Sequence, residues 1–235
     1  MVDAVASALP VSTPDFEQFL FGCARPAVVG MDSVQLETRP LGLLGIPDGQ
    51  VYACDPLVPM DSTPLAERLA PGQYEVVLFV LTGRQHGAAD TRTECNAAAA
   101  LLCSRDRPER WELAIREGGA RDEAAYGVDS GTGGFMGSRA IEQLVDGDTA
   151  FGDAIVSALQ GASGAIVSIA GGVSAAAFRS GAGDGTYDTW LGRDTRGELA
   201  IILTDFGVLR SEEYVSRVHA EWAARKAKKW WQLWR

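Results

Sequence analysis

Patterns typical of β-strands follow one another along most of this chain, with few helical patterns between them. The alternation of Trp111, Leu113 and Ile115 with polar or small residues, for example, indicates a half-exposed strand. Because helices do not alternate with the strands, we predict an α+β fold, mostly antiparallel β, built as a sandwich or a curved sheet. Strands are predicted at 34–38, 41–46, 50–54, 73–82, 110–116, 164–170, 173–179 and 198–204.

A few short helices complete the prediction. They are expected near Pro14, over 138–145 and over 153–159, while 94–104 suits a helix by its alanines and a strand by its position. The turn signal at 47–49 predicts a hairpin that joins its two flanking strands. A last helix begins near Ser211, so we expect one β-rich domain over 1–210 and a basic, Trp-rich C-terminal helix over 211–235.

Charge and composition narrow the classes of protein. The net charge is −10, but residues 217–235 hold six basic side chains and one acid, so residues 1–216 carry −15. An acidic body repels nucleic acid and anionic membranes, and we expect neither as a partner. The four cysteines and two histidines lack zinc or disulfide spacing, and no signal peptide or membrane-length apolar stretch is visible. We therefore expect a cytoplasmic location.

Two glycine- and aspartate-rich segments, 127–134 and 180–187, predict where this protein acts. Glycine allows tight turns and close approach of a ligand to backbone N–H groups. The carboxylates of Asp55, Asp129, Asp184 and Asp205 lie in such turns or at strand ends. Converging carboxylates bind Mg²⁺ or Ca²⁺, or act as an acid and base pair. The alternative is that each aspartate accepts hydrogen bonds only from its own turn.

The same segments carry a resemblance to a known family. Four blocks of residues are shared. The first is Pro40-Leu41-Gly42 with positions 49 and 53–57, and the second is Trp111–Ala114 with positions 126–133 and 135–136. The third is Phe178 with positions 180–181, 183–185, 187, 190, 192 and 194, and the last is 203–206. In these blocks the chain resembles the bacterial family catalogued as domain of unknown function 4241. The resemblance covers roughly residues 38 to 210 and implies no activity. Ala182 and Leu191 depart from aromatic positions of that family, which implies a different ligand preference if those aromatics line a cleft.

The candidate site residues follow from these segments. For ligand binding they are Asp55, Asp129, Ser130, Gly131, Ser180, Asp184, Tyr187 and Trp190; as catalytic candidates Asp129, Asp184, Asp205 and Ser130; and as metal ligands Asp129, Asp184 and Asp205. Ser130, Ser180 or Cys54 would need His86 or His219 as a base for nucleophilic catalysis. We identify no cofactor motif, and the carboxylates leave a divalent cation open as a ligand.

Two functions stay open at this stage, and so does the question of whether the protein is an enzyme. The first is an acidic cleft in the Gly/Asp loops that binds a small polar ligand or a divalent cation, with hydrolysis left open. The second is an interaction or immunity-type protein whose acidic body neutralises a basic partner.

The C-terminal helix has two apolar stripes of different direction. Tyr214, Val218 and Trp222 recur every four residues and should dock on the body. On the far turns, the residues that remain for a partner are Trp230, Trp231 and Trp234 with Lys228 and Lys229. The tail then packs on the acidic body, binds a protein partner or a second copy, or contacts a membrane. Of these, we expect a protein partner or self-association.

Overall fold

The computed structural model describes residues 31–60, 62–85, 92–119, 125–181 and 183–208. Within these residues eleven strands and two α-helices follow one another. The strands are β1 (Met31–Ile46), β2 (Tyr52–Cys54), β3 (Gly72–Gln85), β4 (Arg92–Leu102), β5 (Arg110–Leu113), β6 (Ala125–Val128), β7 (Thr132–Met136), β8 (Gly164–Ser168), β9 (Ser174–Arg179), β10 (Gly185–Arg193) and β11 (Leu199–Asp205). The helices, α1 (Ser138–Val145) and α2 (Thr149–Ala158), lie between β7 and β8.

The strands form two sheets in which every pairing is antiparallel. The large sheet has the order β1-β3-β4-β11-β10-β5, and β6 also pairs with β10. The small sheet has the order β2-β7-β9-β8. The prediction of a mostly antiparallel α+β fold is therefore confirmed. The helices predicted near Pro14 and over 211–235 lie outside the described residues.

The two sheets pack face to face around the main core. Leu78 and Ile202 of the large sheet are fully buried in one cluster with Phe135 and Phe178 of the small sheet. The two phenylalanine rings meet edge to face with their centroids 5.3 Å apart. Because side chains alternate along a strand, each strand of the large sheet also presents residues on the opposite side. We call that side the outer face of the large sheet.

The helices cover the other face of the small sheet. Phe151 and Ile155 of α2 are buried against Ala175 and Ala177 of β9. Helix α1 has the predicted bounds, whereas α2 begins four residues earlier than predicted. The reason is local: the Asp148 carboxylate accepts a hydrogen bond from the Phe151 N–H at 3.1 Å and caps the helix there.

Three local predictions change in the structure. The turn at 47–49 does not close a hairpin, because β1 pairs with β3 while β2 pairs with β7 of the other sheet. The ambiguous segment 94–104 is strand β4, since its alanines fit between β3 and β11. Strands β6, β7 and β10 were not predicted, and each overlaps one of the two Gly/Asp segments, 127–134 and 180–187. In the described part of the chain, no helix has the length and apolar character to cross a membrane.

Candidate functional site

Three segments meet where the chain crosses between the two sheets. The turn 129–131 connects β6 of the large sheet to β7 of the small sheet, and the turn 180–184 connects β9 back to β10. Asp55, which follows β2, lies against the first turn. We call these three segments together the Gly/Asp corner. Asp55 and the turn 129–131, which are 74 or more positions apart in the sequence, are thus brought together by the sheet crossings.

Glycine makes both turns possible. Gly131, Gly181 and Gly183 have φ angles of +67°, +46° and +105°, which L-residues with a Cβ atom rarely adopt. Space matters as well at Gly181, because a Cβ atom there would lie 2.6 Å from the Cβ atom of Phe206. The two crossings therefore explain part of the glycine content of the segments 127–134 and 180–187.

Asp55 joins the end of β2 to the turn 129–131. It is only 2% exposed, and both of its oxygens accept hydrogen bonds. Oδ2 accepts from the backbone N–H groups of Asp129 (3.0 Å) and Ser130 (2.9 Å). Oδ1 accepts from the Leu57 N–H (2.9 Å) and the Ser130 hydroxyl (2.7 Å). A carboxylate with four donors at this depth positions the turn rather than offering itself to a ligand.

The second turn is held by Ser180 and Tyr187. The Ser180 N–H donates to the Gly131 carbonyl at 3.1 Å, which joins the two turns directly. Its hydroxyl donates to the Gly183 carbonyl at 2.8 Å. The Tyr187 hydroxyl donates to the carbonyls of Ser180 (3.1 Å) and Gly183 (2.7 Å). Burial raises the pKa of Tyr187, and the nearby Asp184 carboxylate adds to that rise.

Two carboxylates of the corner face solvent. Asp129 and Asp184 are both exposed, and the structure records no hydrogen bond that either carboxylate accepts from another described residue. A Cβ atom placed on Gly131 would lie 3.9 Å from Asp184 Oδ1, so Asp184 reaches over the first turn. The corner therefore presents two exposed carboxylates on neighbouring turns, and the backbones of these turns are held by hydrogen bonds to Asp55, Ser180 and Tyr187.

Two predicted site residues lie elsewhere. Trp190 is three positions beyond Tyr187 on β10, so the alternation of the strand turns it to the outer face, where it is 3% exposed. Asp205 lies on that same face, because the residue before it on β11, Thr204, points inward between the sheets and side chains alternate along a strand. Its Oδ1 accepts a hydrogen bond from the Gly207 N–H at 2.8 Å. The residue directly opposite it in the neighbouring strand is Asp188, which the sequence did not single out.

This placement bears on the predicted metal ligands. Asp129 and Asp184 lie at the corner, but the Asp205 side chain projects from the other side of β11. Across the described ranges, no three or more His, Cys, Asp or Glu side chains are grouped so that they could hold a metal ion. A cation at the corner would therefore have two carboxylates, with water or backbone oxygens as its remaining ligands.

The predicted nucleophiles are held in structural roles. Ser130 donates its hydroxyl hydrogen to Asp55. Cys54 is 3% exposed, and burial raises the pKa of its thiol to about 12, so the reactive thiolate is scarce near neutral pH. His86 and His219 lie outside the described residues, as do all of the tail residues predicted for interaction, Trp230, Trp231, Trp234, Lys228 and Lys229.

Sequence reasoning missed the polar residues that support the corner from inside. Asn96 of β4 donates to the carbonyls of Ser163 (2.8 Å) and Arg179 (2.7 Å) and so connects the two sheets beside the second turn. The hydroxyls of Thr189 and Thr204 lie 3.2 Å apart between the sheets. A single asparagine in 235 residues, placed before four alanines, was the signal available for Asn96.

Fold and site together define an antiparallel two-sheet protein whose Gly/Asp turns form the crossing between the sheets. The chain belongs to the family described as "Protein of unknown function (DUF4241)", whose sequence profile matches residues 44–204. That range contains the whole Gly/Asp corner and confirms the resemblance seen in the sequence. No curated protein and no solved structure matches the chain.

Proposed function

We propose that the Gly/Asp corner is a binding site for a small polar ligand that carries positive charge, with a hydrated divalent cation as the inorganic case. The observation that supports this is the pair of exposed carboxylates, Asp129 and Asp184, on turns that are already fixed by buried hydrogen bonds. Turns that are ordered before the ligand arrives lower the entropic cost of binding.

The proposal concerns binding rather than catalysis. The Ser130 hydroxyl lies beside the Asp55 carboxylate and donates its hydrogen to it. The same carboxylate also accepts hydrogen bonds from three backbone N–H groups. Freeing that hydroxyl for attack would disturb the turn that carries Asp129. The chemistry that fits best is therefore electrostatic recognition by the two exposed carboxylates.

Substitution of the two carboxylates tests this site. The probes are Ca²⁺, Mg²⁺, Mn²⁺ and the small organic cation agmatine, measured by calorimetry and thermal melting. A probe that binds only the folded chain should stabilise it by about 1.4 kcal/mol at ten times its Kd. Asp129→Asn and Asp184→Asn should each weaken the response. The matched control is Asp153→Asn, which removes an exposed aspartate on α2 and should leave the response unchanged.

Two outcomes would contradict the proposal. One is that none of the four probes shifts melting of the unaltered chain. The other is a shift that Asp153→Asn reduces as much as the corner variants do, because that result would report the net charge alone.

The interaction or immunity-type function is the second proposal, and the charge of −15 over residues 1–216 supports it. A basic protein would contact acidic surface over a wide area, so its affinity should fall steeply as ionic strength rises. Single substitutions at Asp129 or Asp184 should then matter little. The direct probe is the product of a neighbouring gene if that product is basic, with its affinity measured at low and high salt. Salt-independent binding would argue against this proposal.

A further inference from the structure

The outer face of the large sheet is apolar and buried. Seven of its side chains are between 0% and 4% exposed: Val77, Phe79, Ala98, Ala100, Trp190, Ile201 and Leu203. At the end where β11 finishes, the buried Leu81 and Ala97 continue this surface. The face therefore extends across β3, β4, β11 and β10, which are neighbours in the sheet.

The described residues do not explain this burial. All members of the cluster belong to the large sheet itself, including the partly buried Leu36, Leu102, Trp111 and Leu113. Neighbours within one face of a sheet flank a side chain but do not cover its outward end, since side chains stand roughly perpendicular to the sheet. Helix α2 packs on the small sheet and on α1. Among the described residues, none outside the large sheet contributes a side chain to this cluster.

The path of the chain indicates which part this is. After β11 ends at Asp205, Val208 packs against the Leu81 and Ala97 cluster. Leu81 follows Val77 and Phe79 at steps of two along β3, so it lies on the outer face. Val208 is the last described residue before 209–235. The last described residue before the C-terminal segment therefore lies on the outer face, next to the apolar surface.

The sequence of that segment suits the surface. Tyr214, Val218 and Trp222 form one apolar stripe on the helix predicted from Ser211. At 1.5 Å per residue the stripe is about 12 Å long, enough to reach across about three strands at their usual spacing of about 4.8 Å. Arg217 and the later basic residues would approach an acidic edge, where Asp188 and Asp205 face each other.

Asp188 extends the same burial to the end of the face. It is half-buried at the end of the face, and burial raises the pKa of its carboxyl group. The residues beside it in the sheet are Asp205 on β11 and the small Ala125 on β6. A segment docked over this end of the face would produce this loss of solvent.

We propose that residues 209–235 dock on the outer face of the large sheet through Tyr214, Val218 and Trp222. The docked segment forms a fourth layer, after the helices, the small sheet and the large sheet. The other candidate for this position is residues 1–30, which enter the sheet at Met31 at the start of the edge strand β1. The position of Val208 favours the C-terminal segment, because Val208 lies on the covered face and immediately precedes that segment.

Double-mutant cycles in the full chain distinguish the two segments. Val77→Ala is combined with Trp222→Ala and, separately, with Phe19→Ala from the N-terminal segment, and unfolding is followed with urea. Side chains in contact show coupling, whereas distant ones are additive. We expect Val77 and Trp222 to couple by about fivefold or more in the unfolding equilibrium constant. The control cycle pairs Trp222→Ala with Phe151→Ala, under the helices, and should be additive.

Two results would overturn the proposal. Coupling of Val77 to Phe19 with additivity for Trp222 would assign the cover to residues 1–30. Additivity for both, together with melting that depends on protein concentration, would assign it to a second copy of the chain.

A photo-reactive residue keeps the test decisive if a core variant fails to fold. Placed at Val218 in the otherwise unaltered chain, it should cross-link within the same chain to peptides from β3, β4 or β11. Cross-links found solely on covalent dimers, or solely on the helices α1 and α2, would contradict docking on this face.

Discussion

At the scale of single residues, Asp55 shows how a predicted ligand can be a structural group. Its carboxylate is buried and accepts four hydrogen bonds, one from Leu57 and three from the turn 129–131 between the two sheets. Asp129, by contrast, contributes its backbone N–H to Asp55 and leaves its own carboxylate exposed. The two aspartates look alike in the sequence and differ in burial and in the hydrogen bonds that their carboxylates accept.

Replacing Asp55 with asparagine should destabilise the fold strongly. Both oxygens of Asp55 accept hydrogen bonds. In asparagine one of these oxygens is replaced by an NH₂ group, which is itself a donor. The buried N–H groups that faced that oxygen would then have no acceptor. We expect a loss of about 2–4 kcal/mol in the free energy of unfolding, measured with urea. Asp129→Asn is the matched control and should change stability by at most about 0.5 kcal/mol. Equal effects of both variants would contradict the role given to Asp55.

Cys54 provides a pH-dependent prediction at the same scale. Burial raises the pKa of its thiol from 9.0 to about 12, so the folded chain keeps the proton in a range where the unfolded chain loses it. The thiol's contribution to stability is fully present below pH 9.0 and is lost as pH rises toward 12. Between about pH 9.5 and 10.5, the unaltered chain should lose about 1.4 kcal/mol more stability than Cys54→Ala does.

Thiol alkylation checks the same point by a second measurement. At pH 8 the Cys54 peptide should react slowly with iodoacetamide in the folded chain and quickly in urea. Fast alkylation of Cys54 in the folded chain would show that the thiol is accessible and would contradict its burial.

At the scale of elements, glycines decide how closely the strands at the corner approach one another. Strand β7 is buried along its whole length, and it lies between β2 and β9 in the small sheet. A Cβ atom on Gly133 would lie 2.7 Å from the Tyr126 hydroxyl oxygen and 2.8 Å from Phe178 Cε2. Tyr126 belongs to β6 of the large sheet, so the missing side chain lets the two sheets meet here.

Gly133→Ala should therefore separate groups that are in contact between the sheets. We expect a cost of about 1–3 kcal/mol, measured by urea unfolding. Gly127→Ala is the control, because a Cβ atom there meets no other atom within 4 Å. If alanine at 127 costs as much as alanine at 133, backbone flexibility and not close packing would explain the glycines.

At the scale of the whole molecule, the two sheets are held together by apolar packing and by a small number of polar groups. Asn96 is 2% exposed and donates from the large sheet to two carbonyls of the small-sheet region, those of Ser163 and Arg179. It is the one asparagine of the chain. Its amide thus connects the layers next to the crossing at 180–184.

Asn96→Asp and Asn96→Ala should destabilise the molecule to different extents. Alanine leaves two carbonyls without a donor, at about 1–3 kcal/mol. Aspartate adds a buried carboxylate facing carbonyl oxygens, and we expect about 3–5 kcal/mol. The measurement is urea unfolding near neutral pH, repeated at about pH 5, where partial protonation of the new carboxyl should narrow the difference. An aspartate variant as stable as the alanine variant at both pH values would contradict this role.

The sequence by itself determined the features that depend on neighbours along the chain. The strand periodicity specified a mostly antiparallel β fold, and the bounds of α1 were predicted in full. The two Gly/Asp segments were located, because positive φ angles require glycine at particular positions. These features follow from local backbone geometry and from the alternation of apolar residues, so they need no knowledge of the partner strands.

Tertiary structure alone decided which strands share a sheet and which way their side chains face. The alanines of 97–100 form a strand because β3 and β11 lie on either side of them. Tyr187 faces the corner while Trp190 and Asp205 face the other side, because the register of β10 and β11 in the large sheet sets their direction. A local pattern does not carry that information, since a shift of one residue along a strand exchanges its two faces.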